Sequence, residues 1–251
     1  MLPKSLEAGD YGLMNRDWET RPAACVFDAY GTLLDVASAV NRHAGAIGAP
    51  ADALTELWRI KQLQYTWLRS VAQRYVPFDR VTADALEYAL EALGITDADL
   101  QVKLLAQYRS LDAFSDARRA LAALNEADVP CWILSNGTHE MLVSAAHAAG
   151  IDHLLDGILS VDAVKTYKPD ARVYHLAVEE LDLERGRIAF VSSNGWDAYA
   201  AAEFGFPTIW CNRAAAPAER LPGKIVREIR SLDELSGVIC ADLPDSQVRR
   251  V

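Results

Sequence analysis

Asp28 is the first residue whose type and place could do chemistry. It closes the apolar run Ala23-Ala24-Cys25-Val26-Phe27 and is followed by Ala29-Tyr30-Gly31-Thr32. Gly31 allows a tight loop there. The carboxylate can then serve as a nucleophile or simply cap a turn, and this short segment alone leaves both open. Leu134-Ser135-Asn136-Gly137-Thr138 places a hydroxyl and an amide before a predicted helix start, a setting that favours anions. Lys168 stands just before Pro169, and Ser192-Ser193-Asn194-Gly195-Trp196-Asp197 adds two hydroxyls, an amide and a second carboxylate. Each has an ordinary reading as a helix cap or a solvated charge. Together they hold a nucleophile, a cation to offset it and donors for a small anion, the parts of covalent catalysis on an anionic substrate.

These groups need a scaffold that brings them to one edge. Asp28, Ser135 and Ser192 each follow a short apolar run, 23–27, Pro130–Leu134 and Ile188–Val191, and a fourth run at Pro207–Cys211 ends at Asn212. Continuous runs rich in β-branched and aromatic residues suit strands buried on both faces. Helical patterns lie between them. One spans Ala117–Ala127 with Leu121 and Leu124 on one face. Another is capped by Thr138 and ends at Gly150, a third opens at Pro169, and Asp197–Phe204 is stopped by Gly205. The alternation predicts an α/β fold with a doubly wound parallel sheet, whose ligands bind beyond the C-terminal strand ends. Residues 39–113 differ: Leu54, Leu57, Trp58, Leu68 and Val71, then Leu86, Ala89, Leu90 and Leu93, recur at helical spacing. We read 1–22 as an N-terminal extension, 23–38 with 114–251 as the core, and 39–113 as an inserted helical cap. A thick helical layer of one domain is the other reading of that insertion.

Composition narrows the function. The chain has 251 residues, 51% of them hydrophobic, and a net charge of −10. That acidity argues against nucleic acid. No apolar run approaches the ~20 residues of a membrane span, and none near the N-terminus suggests a signal peptide. The four cysteines form no CxxC pair, so neither a disulfide framework nor a zinc site is expected, and a reducing cytoplasm is the natural compartment. The five histidines show no metal spacing. G-x-S-x-G, G-x-G-x-x-G and the P-loop are absent, so an α/β-hydrolase and a nucleotide cofactor are not expected.

The ordered motifs Asp28-x-Tyr30-Gly31-Thr32, Ser135-Asn136-Gly137, Tyr167-Lys168-Pro169 and Ser192-Ser193-Asn194-x-Trp196-Asp197 resemble the haloacid dehalogenase superfamily. With Leu57-Trp58-Arg59, the stretch from Lys61 to Arg69, and Arg74–Phe78, they resemble its L-2-haloacid dehalogenases more narrowly. The likeness covers about residues 23–235.

The resemblance implies a Rossmann-like core with a cap, and a small 2-haloalkanoate substrate released as halide and 2-hydroxy acid. Asp28 would be the nucleophile and Lys168 the cation beside it, with Thr32 holding the loop. Ser135 and the N–H groups of Ala29, Tyr30 and Asn136 would take the substrate carboxylate. Arg59 with Asn136 would receive the halide, from a segment, Thr55–Arg80, with a local charge excess of about +3. Ser192, Asn194 and Asp197 would place the hydrolytic water and Lys168. Tyr174 corresponds to a site tyrosine, with ordinary helix–sheet packing as its other reading. Tyr30, Leu63, Phe78 and Trp196 would wall the alkyl group. No cofactor or metal is implied, and a homodimer is.

Phosphatases of the superfamily carry a second Asp at the position of Tyr30, and a phenol of pKa ~10 replaces a carboxylic acid poorly. A Mg²⁺-dependent phosphatase and a silent small-anion binder stay as alternatives. Ile60, where relatives have a glutamine near the substrate, Gly195, in place of a small side chain, and the N-terminal extension depart from the pattern.

Overall fold

The computed structural model of the chain describes residues 21–240. Nearly all of the N-terminal extension therefore lies outside the described residues. In chain order the strands are β1 (Ala24–Phe27), β2 (Leu34–Asp35), β3 (Asp112–Ala113), β4 (Cys131–Ser135), β5 (Gly157–Ser160), β6 (Ile188–Ser192), β7 (Thr208–Cys211) and β8 (Arg227–Ile229). The helices are α1 (Ser38–Asn41), α2 (Ala44–Ile47), α3 (Ala51–Val71), α4 (Phe78–Ala92), α5 (Ala98–Tyr108), α6 (Ser115–Glu126), α7 (His139–Ala148), α8 (Ala171–Leu181), α9 (Gly195–Phe204) and α10 (Leu235–Ile239).

Six strands form one parallel sheet in the order β5-β4-β1-β6-β7-β8. Every residue of β1, β6 and β7 is buried, as strands covered on both faces require. From β1 the chain steps outward to β4 and β5, then crosses back to β6 and leaves the other way. The order therefore reverses between β1 and β6, where such sheets open a crevice at their C-terminal ends. Asp28 and the Ser192–Asp197 loop flank that point.

The four predicted strands are present. β5 and β8 lack a legible signal because both lie on edges, the first opening with Gly and the second carrying Arg227 and Glu228. Helix α8 begins at Ala171, and the Asp170 side chain accepts from Arg172 N as its cap. Pro169 therefore precedes the cap instead of opening the helix.

Strands β2 and β3 pair antiparallel, Leu34 with Ala113 and Asp35 with Asp112. This two-residue ladder draws together the ends of a purely helical insertion, α1 to α5. On α3 the buried stripe is Ala51, Leu54, Trp58, Gln62 and Thr66, at spacings of three and four. Leu68 and Val71, expected with that stripe, are 58% and 86% exposed. Leu68 lies two residues past Thr66, about 200° around the helix, and so faces away. Polar Gln62 and Thr66 occupy the positions that an apolar pattern would fill. No helix among the described residues is long and apolar enough to cross a membrane.

Candidate active site

Asp28 follows the last residue of β1, with its N–H donating to the Val191 carbonyl of β6 at 2.9 Å. The backbone pins the residue between two central strands, and the residue is only 6% exposed. Its two oxygens are shared among three donors. Thr32 Oγ1 donates to Oδ2 at 3.0 Å and Asn194 Nδ2 to the same oxygen at 2.7 Å. Lys168 Nζ approaches Oδ1 at 3.2 Å. Thr32 is itself held, because its hydroxyl accepts the Ser193 N–H at 2.8 Å. Asn194 Nδ2 also donates to the Tyr30 carbonyl at 2.9 Å. Ser192 Oγ accepts the Asn194 N–H at 3.1 Å and so fixes the turn carrying that amide.

Lys168 bridges two carboxylates. Its Nζ lies 2.9 Å from Asp197 Oδ2 as well, with the Phe190 ring 4.9 Å below. Lys168 is 1% and Asp197 0% exposed. Burial opposes the lysine charge, but Asp197 and Asp28 outweigh it and hold its pKa above the ordinary lysine value. Asp197 is pushed up to about 6 by burial, with Lys168 pulling it down and the like charge of Asp28 pushing it up. Tyr174 Oη donates to Asp197 Oδ1 at 2.7 Å, while its ring packs against Phe190, Phe204 and Phe206. Tyr174 thus packs between helix and sheet and at the same time hydrogen-bonds Asp197.

On the β4 side, Ser135 is buried and its hydroxyl accepts the Gly137 N–H at 3.3 Å. Asn136 Oδ1 accepts the Lys168 N–H at 2.9 Å, tying the lysine's loop to the end of β4. The N–H groups of Ala29, Tyr30 and Asn136 take no protein acceptor among the described residues. Three unpaired donors at the ends of adjacent strands can accept a small anion.

Arg59 reaches the site from α3. Its Nη2 donates to the Tyr30 carbonyl at 3.3 Å and to Asn194 Oδ1 at 3.5 Å. Three other cations of that segment have different duties: Arg69 and Arg80 both pair with Asp84, and Lys61 bonds Gln64.

Tyr30 lies within an aromatic stack, 5.4 Å from both Phe78 and Tyr108. Its hydroxyl is buried without a partner among the described residues, and burial pushes its pKa well above the usual phenol value. Phe78 also faces Tyr167 at 6.2 Å, so it supports the Tyr30 ring. Leu63 is half-buried one turn past Arg59. Trp196 stands apart from this set. It sits edge-on to Trp67 at 5.5 Å and lines a groove of about 920 Å³ with Val71 and Leu221. Of the groups around the two carboxylates, only Tyr174 borders that groove. Ile60 is 51% exposed.

Two further residues shape the site although the sequence assigns neither a role. Gly137 leaves room for the Tyr30 ring: a Cβ there would lie 2.8 Å from Tyr30 Cε2. Gln62 Oε1 accepts from Arg59 Nη1 at 2.8 Å. The motif Ser135-Asn136-Gly137 contains the first and the stretch from Lys61 to Arg69 the second, but neither motif shows what the side chain or its absence does.

The chain matches the model of the haloacid dehalogenase-like hydrolases over residues 22–205. It is 46% identical over 213 residues to (S)-2-haloacid dehalogenase 1 of Pseudomonas sp. (strain CBS-3), covering 84% of this chain and 94% of that one. It is 44% identical to (S)-2-haloacid dehalogenase 4A of Burkholderia cepacia, covering 84% and 92%. The fold superposes on L-2-haloacid dehalogenase from Xanthobacter autotrophicus with chloropropionic acid covalently bound. There the TM-score is 0.81 at 32% identity, covering 88% of this chain and all of that one.

Proposed function

Because the chain belongs to the haloacid dehalogenase-like hydrolase family, we propose that it hydrolyses a small L-2-haloacid to the D-2-hydroxy acid and halide. The observation that carries this reading is the Asp28 carboxylate, fixed by Thr32 and Asn194 and neutralised by the Lys168 ammonium. In the first step an Asp28 oxygen forms a bond to C2 as the carbon–halogen bond breaks. The electron pair leaves with the halide, C2 inverts, and an aspartyl ester remains. In the second step water adds to the ester carbonyl of Asp28, the ester bond breaks, and the alkoxide takes a proton that the water gives up. C2 is untouched there, so the inversion persists in the product. Splitting one displacement into two is the gain from covalent catalysis.

The site residues take their parts from position. Lys168 offsets the repulsion between an anionic nucleophile and an anionic substrate. Ser135 and the free N–H groups of Ala29, Tyr30 and Asn136 hold the substrate carboxylate. Arg59 and Asn136 receive the halide. Asp197 keeps Lys168 in place and, with Ser192 and Asn194, orders the water; Tyr174 orients Asp197. Tyr30, Leu63 and Phe78 form the apolar wall; Trp196, turned to Trp67 and the outer groove, is not part of it.

Tyr30 separates this reading from the phosphatase alternative. The leaving group of a phosphate ester needs a proton, whereas a halide needs none. A buried phenol with a raised pKa is a poor donor at neutral pH. No cofactor or metal enters the reading. We take residues 39–113 as a cap over the strand ends, a homodimer as the working form and the cytoplasm as its compartment; sedimentation at micromolar protein checks the dimer.

The deciding experiment measures halide release from L- and D-2-chloropropionate in EDTA. Release from the L form alone is expected. Release from neither, with Mg²⁺-dependent hydrolysis of a phosphate ester instead, would move the assignment to the phosphatase.

A further inference from the structure

The helical insertion holds a buried polar cluster that the reaction does not use directly. Gln62 on α3, Thr82 on α4 and Tyr108 at the end of α5 are all buried. The Gln62 amide is engaged at both ends. Its Nε2 donates to Thr82 Oγ1 at 2.8 Å, and its Oε1 accepts from Arg59 Nη1 at 2.8 Å and from Tyr108 Oη at 3.0 Å. Thr82 spends its single proton on the Phe78 carbonyl at 2.7 Å, so toward Gln62 it can only accept. That fixes which way the amide points: a flipped Gln62 would set its NH₂ against the guanidinium.

The cavity beside Arg59, Gln62 and Tyr108 measures only about 10 Å³. That is at most the space of one water, so solvent has no room to replace the amide oxygen. With Nη1 anchored to Gln62, Nη2 is the nitrogen turned to Tyr30 O and Asn194 Oδ1. A core built for stability alone gains nothing from three buried polar side chains at one helix junction, and a complete network gives orientation instead.

We propose that Gln62 is a positioning residue, locked by Thr82, that sets which face of the Arg59 guanidinium meets the departing halide. The inference rests on the reading of Arg59 as the halide-receiving group.

The test is the single-turnover rate of halide release from L-2-chloropropionate and L-2-bromopropionate. Bromide departs more readily and needs less assistance, so a misoriented Arg59 slows chloride release more. Gln62→Met should raise the bromide-to-chloride ratio about tenfold, within the ~10²-fold that a 1 Å misplacement can cost. A folding defect reduces active enzyme and scales both rates together, leaving the ratio unmoved. Arg59→Ala should raise the ratio at least as far, and adding Gln62→Met to it should raise it no further.

A shifted ratio in Arg59→Ala with a wild-type ratio in Gln62→Met overturns the inference and leaves the Arg59 role standing. A wild-type ratio in both overturns the Arg59 role, and the inference with it. Should Gln62→Met fail to fold, Thr82→Val removes the lock on Nε2 together with the Thr82 bond to the Phe78 carbonyl, and should raise the ratio by about threefold, a fraction of the orientation limit. An unchanged ratio in folded Thr82→Val overturns the inference equally.

Discussion

Replacing Lys168 by Met keeps much of the side-chain volume and removes one charge from between two buried carboxylates. The ammonium stands 3.2 Å from Asp28 and 2.9 Å from Asp197. At an effective dielectric of about 20, each contact is worth roughly 5–6 kcal/mol before desolvation is counted. The Asp28 contact is already present in the free enzyme, so only the attraction of Lys168 for the charge that the anionic substrate brings counts toward rate. At about 6 Å that attraction is worth roughly 2.8 kcal/mol, about 10²-fold in turnover, and at about 3 Å roughly 5.5 kcal/mol, close to 10⁴-fold. We expect a loss between those values, read as halide released from L-2-chloropropionate.

The same variant makes a second, independent prediction. Asp197 is already lifted to about 6 by burial, and Lys168 is what pulls it down. Without the ammonium its folded pKa rises further. A carboxyl whose folded pKa exceeds the unfolded value of ~3.9 contributes stability that is full below pH ~4 and is lost as pH climbs through the folded pKa. Thermal melts should therefore show Lys168→Met close to wild type at pH 5 and clearly below it at pH 8. A folded variant keeping more than a tenth of the rate, or a Tm deficit that does not grow with pH, would refute the electrostatic account of Lys168.

Three other outcomes follow from the geometry. Asp197 must be ionised to hold Lys168, so kcat/KM should rise with pH through about 6, since the group is unproductive while protonated; an acid limb centred at pH 4 or lower removes Asp197 from that role. In a single turnover in ¹⁸O water, mass spectrometry should find the label in Asp28 and unlabelled oxygen in the product, and label appearing directly in the product would mean water attack at C2. Gly137→Ala drives a methyl to within 2.8 Å of the Tyr30 ring, which Phe78 and Tyr108 box in. It should cost about 1–3 kcal/mol, and an unchanged Tm would show that the ring has room to move.

The strand-end groups were legible in the sequence because a parallel sheet converts order along the chain into adjacency. Asp28, Ser135 and Ser192 each end or follow an apolar run, and the reversal of strand order places those ends around one crevice. Lys168 was legible by its place before Pro169, although its bridge to both carboxylates, 140 and 29 residues away, depends on the assembled sheet. The insertion read less well, for a definite reason. Its apolar period predicts Leu68 and Val71 inside, whereas the face that α3 buries carries Gln62 and Thr66. Periodicity ranks positions by hydrophobicity, so it is blind to a polar residue buried for its hydrogen bonds. The partners of Gln62 sit 3, 20 and 46 residues away, on three helices. No local motif encodes such a junction. Strand ends supply the groups we propose as reacting and can be read from the chain, while the orientation of Arg59 over them is a property of helix packing alone. Substitutions that leave every motif intact can therefore still retune how the halide leaves.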